Sequence, residues 1–271
     1  MTKRVISSVV AIPILLAVVI AGGLWFKIAI GLVACIGMYE LYKAVSKKLK
    51  PVHLLGFVME ILYIAFIDKG LSVTYFEMVF MAITLLILMC LIFLHRTNNV
   101  IDGAVTIFGF AYVGMLMSCA YQIRVEHFAL VWLPFMCAWG SDTGAYLVGR
   151  KIGKHKLAPA LSPHKSIEGS IGGMLSAAIL CGLYCWLSGK FDLKLIPAFC
   201  LIGAIGSIFG QLGDLAASSI KRYTGIKDYG NIMPGHGGVL DRFDSVLFTL
   251  PIIYIFVKIS CAGEPITAPV P

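Results

Sequence analysis

The sequence predicts an all-α integral membrane protein with about nine transmembrane helices. Hydrophobic residues make up 59% of the 271 residues and charged residues only 13%, and the mean hydropathy is +0.91. These values exclude an ordinary soluble domain. They also exclude a disordered chain, because disorder requires low hydrophobicity and high net charge. Nine apolar runs, each bounded by charged or turn residues, then account for most of the chain.

Each apolar run approaches the length of about 20 residues that a spanning helix needs. In chain order we expect spans at residues 5–22, 25–42, 52–67, 73–94, 100–119, 128–149, 170–187, 195–213 and 245–261. The third run is short and contains Glu60, and the sixth contains Asp142. We expect no cleaved signal peptide, because the first run is long and no small-residue cleavage pattern follows it.

The whole chain is predicted to be one polytopic membrane domain, residues 1–271. Within it we expect N-terminal helices in residues 1–127, and catalytic helices with their loops in residues 128–261. With a cytoplasmic N-terminus, sixteen of the 22 Lys and Arg residues fall on the cytoplasmic side. The positive-inside rule therefore favours this orientation. The two long connections, 150–169 and 214–244, then lie on the cytoplasmic face, where we expect the catalytic loops.

The connection at residues 214–244 interleaves acidic and basic side chains at a membrane boundary. It contains Asp214, Asp228, Asp241 and Asp244 beside Lys221, Arg222, Lys227 and Arg242. Carboxylate oxygens hold Mg²⁺ and basic side chains neutralise phosphate oxygens, so this mixture is typical of metal-assisted phosphate chemistry. The alternative is an interfacial loop held by salt bridges.

The spacing of these residues adds detail to the first interpretation. Asp214, Ser218 and Lys221 share one helix face if the eighth span continues past the membrane boundary. That face would present a metal ligand and a cation for phosphate. Asp241 and Asp244 begin the next helix, and an antiparallel turn would bring Asp214 and Asp241 together. We therefore predict that Asp214 and Asp241 hold one metal ion.

The turn between these two helices is rich in glycine. Pro234, Gly235, Gly237 and Gly238 surround His236, and this composition cannot continue a helix. It lets backbone N–H groups approach a phosphate closely. The turn is therefore a candidate phosphate-binding segment.

The connection at residues 150–169 is basic, with Lys165 near Ser162 and Glu168 at the start of the next span. Its Ser-Pro and Gly residues favour a fixed shape. The alternative is a loop that binds lipid head groups or sets topology. Asp142 lies inside the preceding span, where an ionisable side chain is costly and indicates either function or a structural polar anchor.

One run resembles the signature of the phosphatidate cytidylyltransferase (CDP-diacylglycerol synthase) family. It reads S-I-K-R-Y-T-G-I-K-D-Y-G-N-I-M-P-G-H-G-G-V-L-D-R-F-D, from Ser219 to Asp244. Upstream, S-P-H-K-S-I-E-G and W-G-S-D-T-G-A-Y-L-V-G-R-K-I-G-K-H-K also resemble blocks of that family. The resemblance covers residues 137–260 by motif and the rest by helix count. His164 and Ser166 stand where we expect the family to have lysine and threonine.

The resemblance implies transfer of a cytidylyl group from CTP to phosphatidate, giving CDP-diacylglycerol and pyrophosphate in phospholipid biosynthesis. It implies Mg²⁺ as cofactor, a second, monovalent cation as a further candidate, and a homodimeric, multi-pass enzyme of the bacterial inner (plasma) membrane. We expect contact with membrane lipid and no nucleic-acid partner. The expected catalytic residues are Asp214, Lys221, Asp241 and Arg242. The expected substrate-binding residues are Asp142, Ser162, Lys165, Glu168, Ser218, Arg222, Lys227, Asp228, His236, Gly237, Gly238 and Asp244.

Two alternatives remain open at this point. A secondary transporter would carry its polar groups near the bilayer midplane, whereas most acidic residues here lie at a boundary. A related membrane nucleotidyltransferase could act on another lipid phosphate or on a polyprenyl acceptor. Acyl-chain recognition would use apolar surface that looks like any other span, so the sequence does not distinguish these acceptors.

Overall fold

The structure is a computed structural model that describes residues 13–69, 81, 85, 89, 98–232 and 237–262. This part of the chain is almost entirely helical, as the composition predicts. The helices are α1 (13–21), α2 (Gly23–Val45), α3 (His53–Phe66), α4 (Val100–Glu126), α5 (Leu133–Ile152), α6 (Ile167–Ser188), α7 (Ile196–Thr224) and α8 (Leu240–Ala262). Residues Phe110–Met115 of α4 form a π-helical turn. Short 3₁₀ turns occur at Ile67–Lys69, Phe128–Trp132 and Leu193–Leu195.

Five helices of the described chain are long and apolar enough to cross a membrane. They are Gly23–Val45, Val100–Glu126, Ile167–Ser188, Leu193–Thr224 and Leu240–Ser260, and they match the second, fifth, seventh, eighth and ninth predicted spans. The third predicted span corresponds to α3, which has 14 residues, and the sixth to α5, which has 20. The fourth predicted span lies outside the described residues apart from 81, 85 and 89, and the first is described only from residue 13. The count of nine stays a prediction.

Several helices extend beyond the apolar windows that predicted them. Helix α7 continues to Thr224, whereas the predicted span ends at 213, and α8 begins at Leu240, before the predicted 245. Hydropathy marks only the segment suited to lipid, while backbone hydrogen bonding continues the helix into polar sequence. Asp214, Ser218 and Lys221 therefore do lie on one continuous helix.

A small β-hairpin, which the all-α prediction did not include, connects α5 to α6. Strand β1 (Lys156–Ala158) pairs antiparallel with β2 (Ser162–Ser166), with Lys156 opposite Ser166 and Ala158 opposite Ser162. The two helices pack closely, because a Cβ atom on Gly172 would lie 2.5 Å from the Val148 side chain. Glycine at such a position lets helix backbones approach each other in a membrane.

The described residues divide into two compact units, which we describe separately. Unit 1 contains the described parts of Met1–Tyr121 and Thr224–Arg242, and unit 2 contains those of Gln122–Tyr223 and Phe243–Pro271. In unit 1, α2, α3 and α4 pack around the buried side chain of Tyr42. Its hydroxyl donates to the carbonyl of Thr106 at 2.7 Å. A Cβ atom on Gly56 or Gly109 would collide with its ring, so glycines make room for it.

Candidate active site

In unit 2 the hairpin places Lys165, which we expect to bind substrate, beside Asp214, which we expect to bind a metal. Nζ of Lys165, on β2, lies 2.5 Å from Oδ2 of Asp214 on α7, and each side chain is about one-quarter exposed, at 24% and 27%. Within the described residues, no hydrogen bond of good geometry reaches this Nζ atom. The contact is therefore best described as an ion pair, and it joins two connections that the sequence analysis treated separately.

Three helices of unit 2 contribute carboxylates to the same region. Asp244 on α8 is buried, with 9% of its surface exposed, and it interacts electrostatically with Asp214 on α7 and Asp142 on α5. Lys221 on α7 opposes this negative charge. Asp244 thus lies in electrostatic range of Asp142, also predicted to bind substrate, and of the predicted catalytic residues Asp214 and Lys221.

These carboxylates do not form a closed metal cage. Across the described chain, no three His, Cys, Asp or Glu side chains converge closely enough to hold a metal ion. Mg²⁺ is commonly held by one or two carboxylates together with substrate phosphates. The acidic group of unit 2 is therefore suited to a metal that is completed by its substrate.

A buried polar network, which was not predicted from the sequence, lies around Gln211, one helical turn before Asp214 on α7. Nε2 of Gln211 on α7 lies 3.2 Å from Oγ of Ser141 on α5, 3.2 Å from Oγ of Ser207 and 3.1 Å from the carbonyl of Ser170 on α6. Ser207 also donates to Ser141 at 2.7 Å. The network therefore ties together the helices that carry Asp142 and Asp214. Its only signal in the sequence is polar side chains within apolar spans.

Glu168, predicted to bind substrate, is engaged in local contacts at the base of the hairpin. Its carboxylate accepts hydrogen bonds from the backbone N–H of Lys154 at 3.0 Å and of His155 at 3.2 Å, and lies 2.6 Å from Nδ1 of His155. Ser166 caps α6 by accepting from the N–H of Gly169 at 3.1 Å. These contacts hold the hairpin, and thus Lys165, in place at the start of α6.

In unit 1, Asp241 holds the two ends of the glycine-rich turn. Its Oδ2 atom accepts from the backbone N–H of Tyr229 at 2.8 Å and of Gly238 at 3.0 Å. Gly237 has a φ of +87°, which favours glycine, and a Cβ atom there would lie 3.0 Å from the same oxygen. Arg242 follows on the first turn of α8 with an exposed side chain.

Glu40 on α2 is a second residue that the sequence analysis missed. Its side chain is buried, and its carboxylate accepts hydrogen bonds from the backbone N–H groups of Val239 and Leu240. The sequence shows only a single acidic residue near the end of an apolar run. Its contact with the last helix depends on the tertiary fold.

The other predicted site residues occupy varied positions. Ser162 is half-buried at the start of β2 and Ser218 is half-buried on α7, while the side chains of Arg222, Lys227 and Asp228 are exposed. His236 lies outside the described residues. Asp214 and Asp241 belong to different units, and the metal site that we predicted for them stays a prediction.

Comparison with known proteins gives one consistent match. A model of the cytidylyltransferase family matches residues 2–260. A phosphatidate cytidylyltransferase of Bacillus subtilis is 35% identical over 273 residues, covering 96% of this chain and 98% of its own. Proteins of the same name from Staphylococcus saprophyticus and Staphylococcus epidermidis are 35% and 34% identical, each covering 95% of this chain and 99% of its own.

Proposed function

Because the chain belongs to the cytidylyltransferase family, we propose that it transfers the cytidylyl group of CTP to phosphatidate. The products are CDP-diacylglycerol and pyrophosphate, and the reaction belongs to phospholipid biosynthesis. The structural observation that carries the proposal is the Lys165–Asp214 ion pair in the electrostatic field of Asp244. Cations and carboxylates mixed in this way suit substrates that carry phosphate groups and a metal.

The reaction needs no nucleophile from the protein. A phosphate oxygen of phosphatidate attacks the α-phosphorus of CTP in line, a new P–O bond forms, and the bond to the leaving pyrophosphate breaks. A phosphate monoester is already nucleophilic, so the protein has to orient the substrates and neutralise charge. In unit 2 we assign this neutralisation to Lys165, Lys221 and Arg222. In unit 1, Arg242 is a further candidate cation for substrate phosphate.

Magnesium fits the donor set of unit 2. Asp214 and Asp244 offer hard carboxylate oxygens, and the ion pair of Asp214 with Lys165 supports a negative charge on Asp214. In unit 2, Asp214 would hold Mg²⁺ together with phosphate oxygens of CTP, and Asp244 is a further candidate ligand beside the predicted Asp241. The ion, when bound, would stabilise negative charge on the α-phosphate and on pyrophosphate. A second, monovalent cation is a further candidate for this acidic region.

We further propose a multi-pass protein of the bacterial inner membrane, with a cytoplasmic N-terminus and about nine spans. The five apolar helices support membrane insertion, and the bacterial relatives support the compartment. The distribution of Lys and Arg supports the orientation. We also propose that the protein is a homodimer, and this part of the proposal rests on the family resemblance.

The substrate assignment is tested with purified protein in detergent, labelled CTP, Mg²⁺ and a panel of lipid phosphates. We expect labelled CDP-diacylglycerol and stoichiometric pyrophosphate with phosphatidate. Turnover with a polyprenyl phosphate but not with phosphatidate would support the related nucleotidyltransferase instead. No nucleotide product with any lipid phosphate would contradict the assignment as an enzyme of this type.

Asp214→Asn tests the metal assignment, because asparagine preserves the shape of the side chain but removes its charge. We expect turnover to fall by about a thousandfold, since metal stabilisation of the transferring phosphate is worth several kcal/mol. We also expect the thermal stabilisation by CTP to require a higher Mg²⁺ concentration. Asp192→Asn is the matched control, because the side chain of Asp192 accepts from the N–H of Lys194 at 2.9 Å in the 3₁₀ turn that precedes α7. A wild-type Mg²⁺ dependence in Asp214→Asn would contradict the assignment.

A further inference from the structure

The carboxylate of Glu40 provides the start of α8 with hydrogen-bond acceptors. Oε1 accepts from the N–H of Val239 at 3.1 Å, and Oε2 accepts from the N–H of Leu240 at 2.8 Å. The first N–H groups of a helix have no acceptor within the helix, and a negative charge there is favourable. The side chain is only 2% exposed, so its place at this helix end is protected from water.

Two glycines, one on each side of the turn, leave the space that this carboxylate occupies. A Cβ atom on Gly230 would lie 2.3 Å from Oε1 of Glu40, and one on Gly238 would lie 2.5 Å from Oε2. Neither glycine has a positive φ, so the backbone conformation itself does not require glycine at either position. What both positions require is space for the side chain of Glu40.

Together, Glu40 and Asp241 accept hydrogen bonds from four backbone N–H groups of this segment. Asp241 holds Tyr229 and Gly238, and Glu40 holds Val239 and Leu240. Hydrogen bonds to charged groups are among the stronger ones in proteins, and removing one partner leaves a buried group unsatisfied. The position of the first turn of α8 therefore depends on a residue of α2.

We propose that Glu40 is a positioning residue for the phosphate-binding end of α8, acting through Asp241 and Arg242. It fixes the first turn of the helix, and so it fixes the direction in which the side chain of Arg242 leaves that helix. This inference rests on the proposed function, because the contact of Arg242 with phosphate is part of that proposal. It gives α2, which the resemblance covers by helix count alone, a defined part in substrate use.

Glu40→Gln tests the proposal, and Glu60→Gln is the matched control. Glutamine keeps the size of the side chain, but it replaces one acceptor oxygen with an NH₂ group that faces a backbone N–H. Glu60 is a fully buried glutamate of the same unit, and its Oε1 atom accepts from the hydroxyl of Ser118 at 3.5 Å. We expect amide exchange of residues 238–242 to accelerate in Glu40→Gln only. We also expect kcat/KM for CTP to fall by about tenfold to a hundredfold in Glu40→Gln, and to stay within about twofold in Glu60→Gln.

A double-mutant cycle separates positioning from general destabilisation. Gly230→Ala should lower kcat/KM in the wild-type background, because its Cβ atom displaces the carboxylate of Glu40. In the Glu40→Ala background the same change should have little further effect, because the colliding group is gone. Equal factors in both backgrounds would overturn the proposal.

Amide exchange and thermal melting of Glu40→Gln are both measured without substrate. They therefore test the contact even if the protein prefers another lipid phosphate, in which case the kinetic ratios are measured on that acceptor. Wild-type exchange in Glu40→Gln would overturn the proposal. A lowered melting temperature without faster exchange at residues 238–242 would also overturn it, since that result indicates a purely structural role.

Discussion

The charge of Lys221 is set against the carboxylate of Asp244, one of three acidic side chains in the same region. Lys221→Ala should reduce kcat/KM by about tenfold to a thousandfold, as expected for loss of a charge-assisted contact to phosphate. Steady-state kinetics with CTP and phosphatidate measure this loss. The difference between the wild-type protein and Lys221→Ala should become smaller at high salt, because salt screens charges that solvent can reach.

Lys194→Ala is the control for this charge, because Lys194 lies in a separate 3₁₀ turn, Leu193–Leu195, at the start of α7. We expect activity close to that of the wild type. Equal losses in the two variants would mean that total basicity is being measured, and the role given to Lys221 would then be wrong.

Single residues also show where sequence reasoning stops. Asp214, Lys165 and Asp244 could each be selected from their charge and their place at the edge of an apolar run. The ion pair between Lys165 and Asp214 could not, because it depends on the hairpin that turns β2 toward α7. Glu40 could not be selected either, because its partners are backbone N–H groups. Nearly every residue has such a group, so the sequence does not mark the partners.

Among the elements, α7 depends on the polar network below Asp214. Gln211→Leu removes the side chain that links α5, α6 and α7, and leaves buried hydroxyls with fewer partners. We expect destabilisation of about 1–2 kcal/mol, the size found for polar contacts between membrane helices. We expect a larger effect on turnover, about tenfold or more, because a small displacement of α7 moves Asp214 away from its neighbours.

Leu212→Ala is the appropriate control for Gln211→Leu, since Leu212 is the next residue of α7 and is 47% exposed. Thermal melting in detergent and turnover should both stay near the wild-type values. If Gln211→Leu lowered the melting temperature without lowering turnover, the network would support the fold but not the site.

The helices could be predicted from the sequence only where their residues are apolar. The apolar windows located α2, α4, α6, α7 and α8, because apolar side chains occupy the part of each helix that contacts lipid. They did not locate the last turns of α7 or the first turn of α8, where polar residues remain helical and carry the site. The hairpin escaped prediction because its strands are short and polar, without the alternation that indicates a half-buried strand.

For the whole molecule, the orientation in the membrane is the most direct prediction. We expect residues 150–169 and 214–244 on the cytoplasmic side and the chain after Cys261 on the other side, because of the excess of basic residues. We expect a C-terminal reporter of the type that works outside the cytoplasm to be active, and one that works only in the cytoplasm to be inactive. A fusion active only in the cytoplasm would reverse the orientation and move the proposed site to the opposite face.

The hydrogen bonds of Glu40 also have a consequence for biosynthesis. They join residues 199 and 200 positions apart, so translation delivers the carboxylate long before it delivers its donors. Until α8 is inserted, a glutamate in an apolar bundle lacks these partners, and such a group is costly in a membrane. In a nascent chain that stalls before α8, the carboxylate of Glu40 on α2 therefore lacks the N–H groups that it binds in the folded protein. We expect such a chain to be degraded faster than one interrupted within α8, and a pulse-chase experiment on ribosome-released fragments would measure that difference.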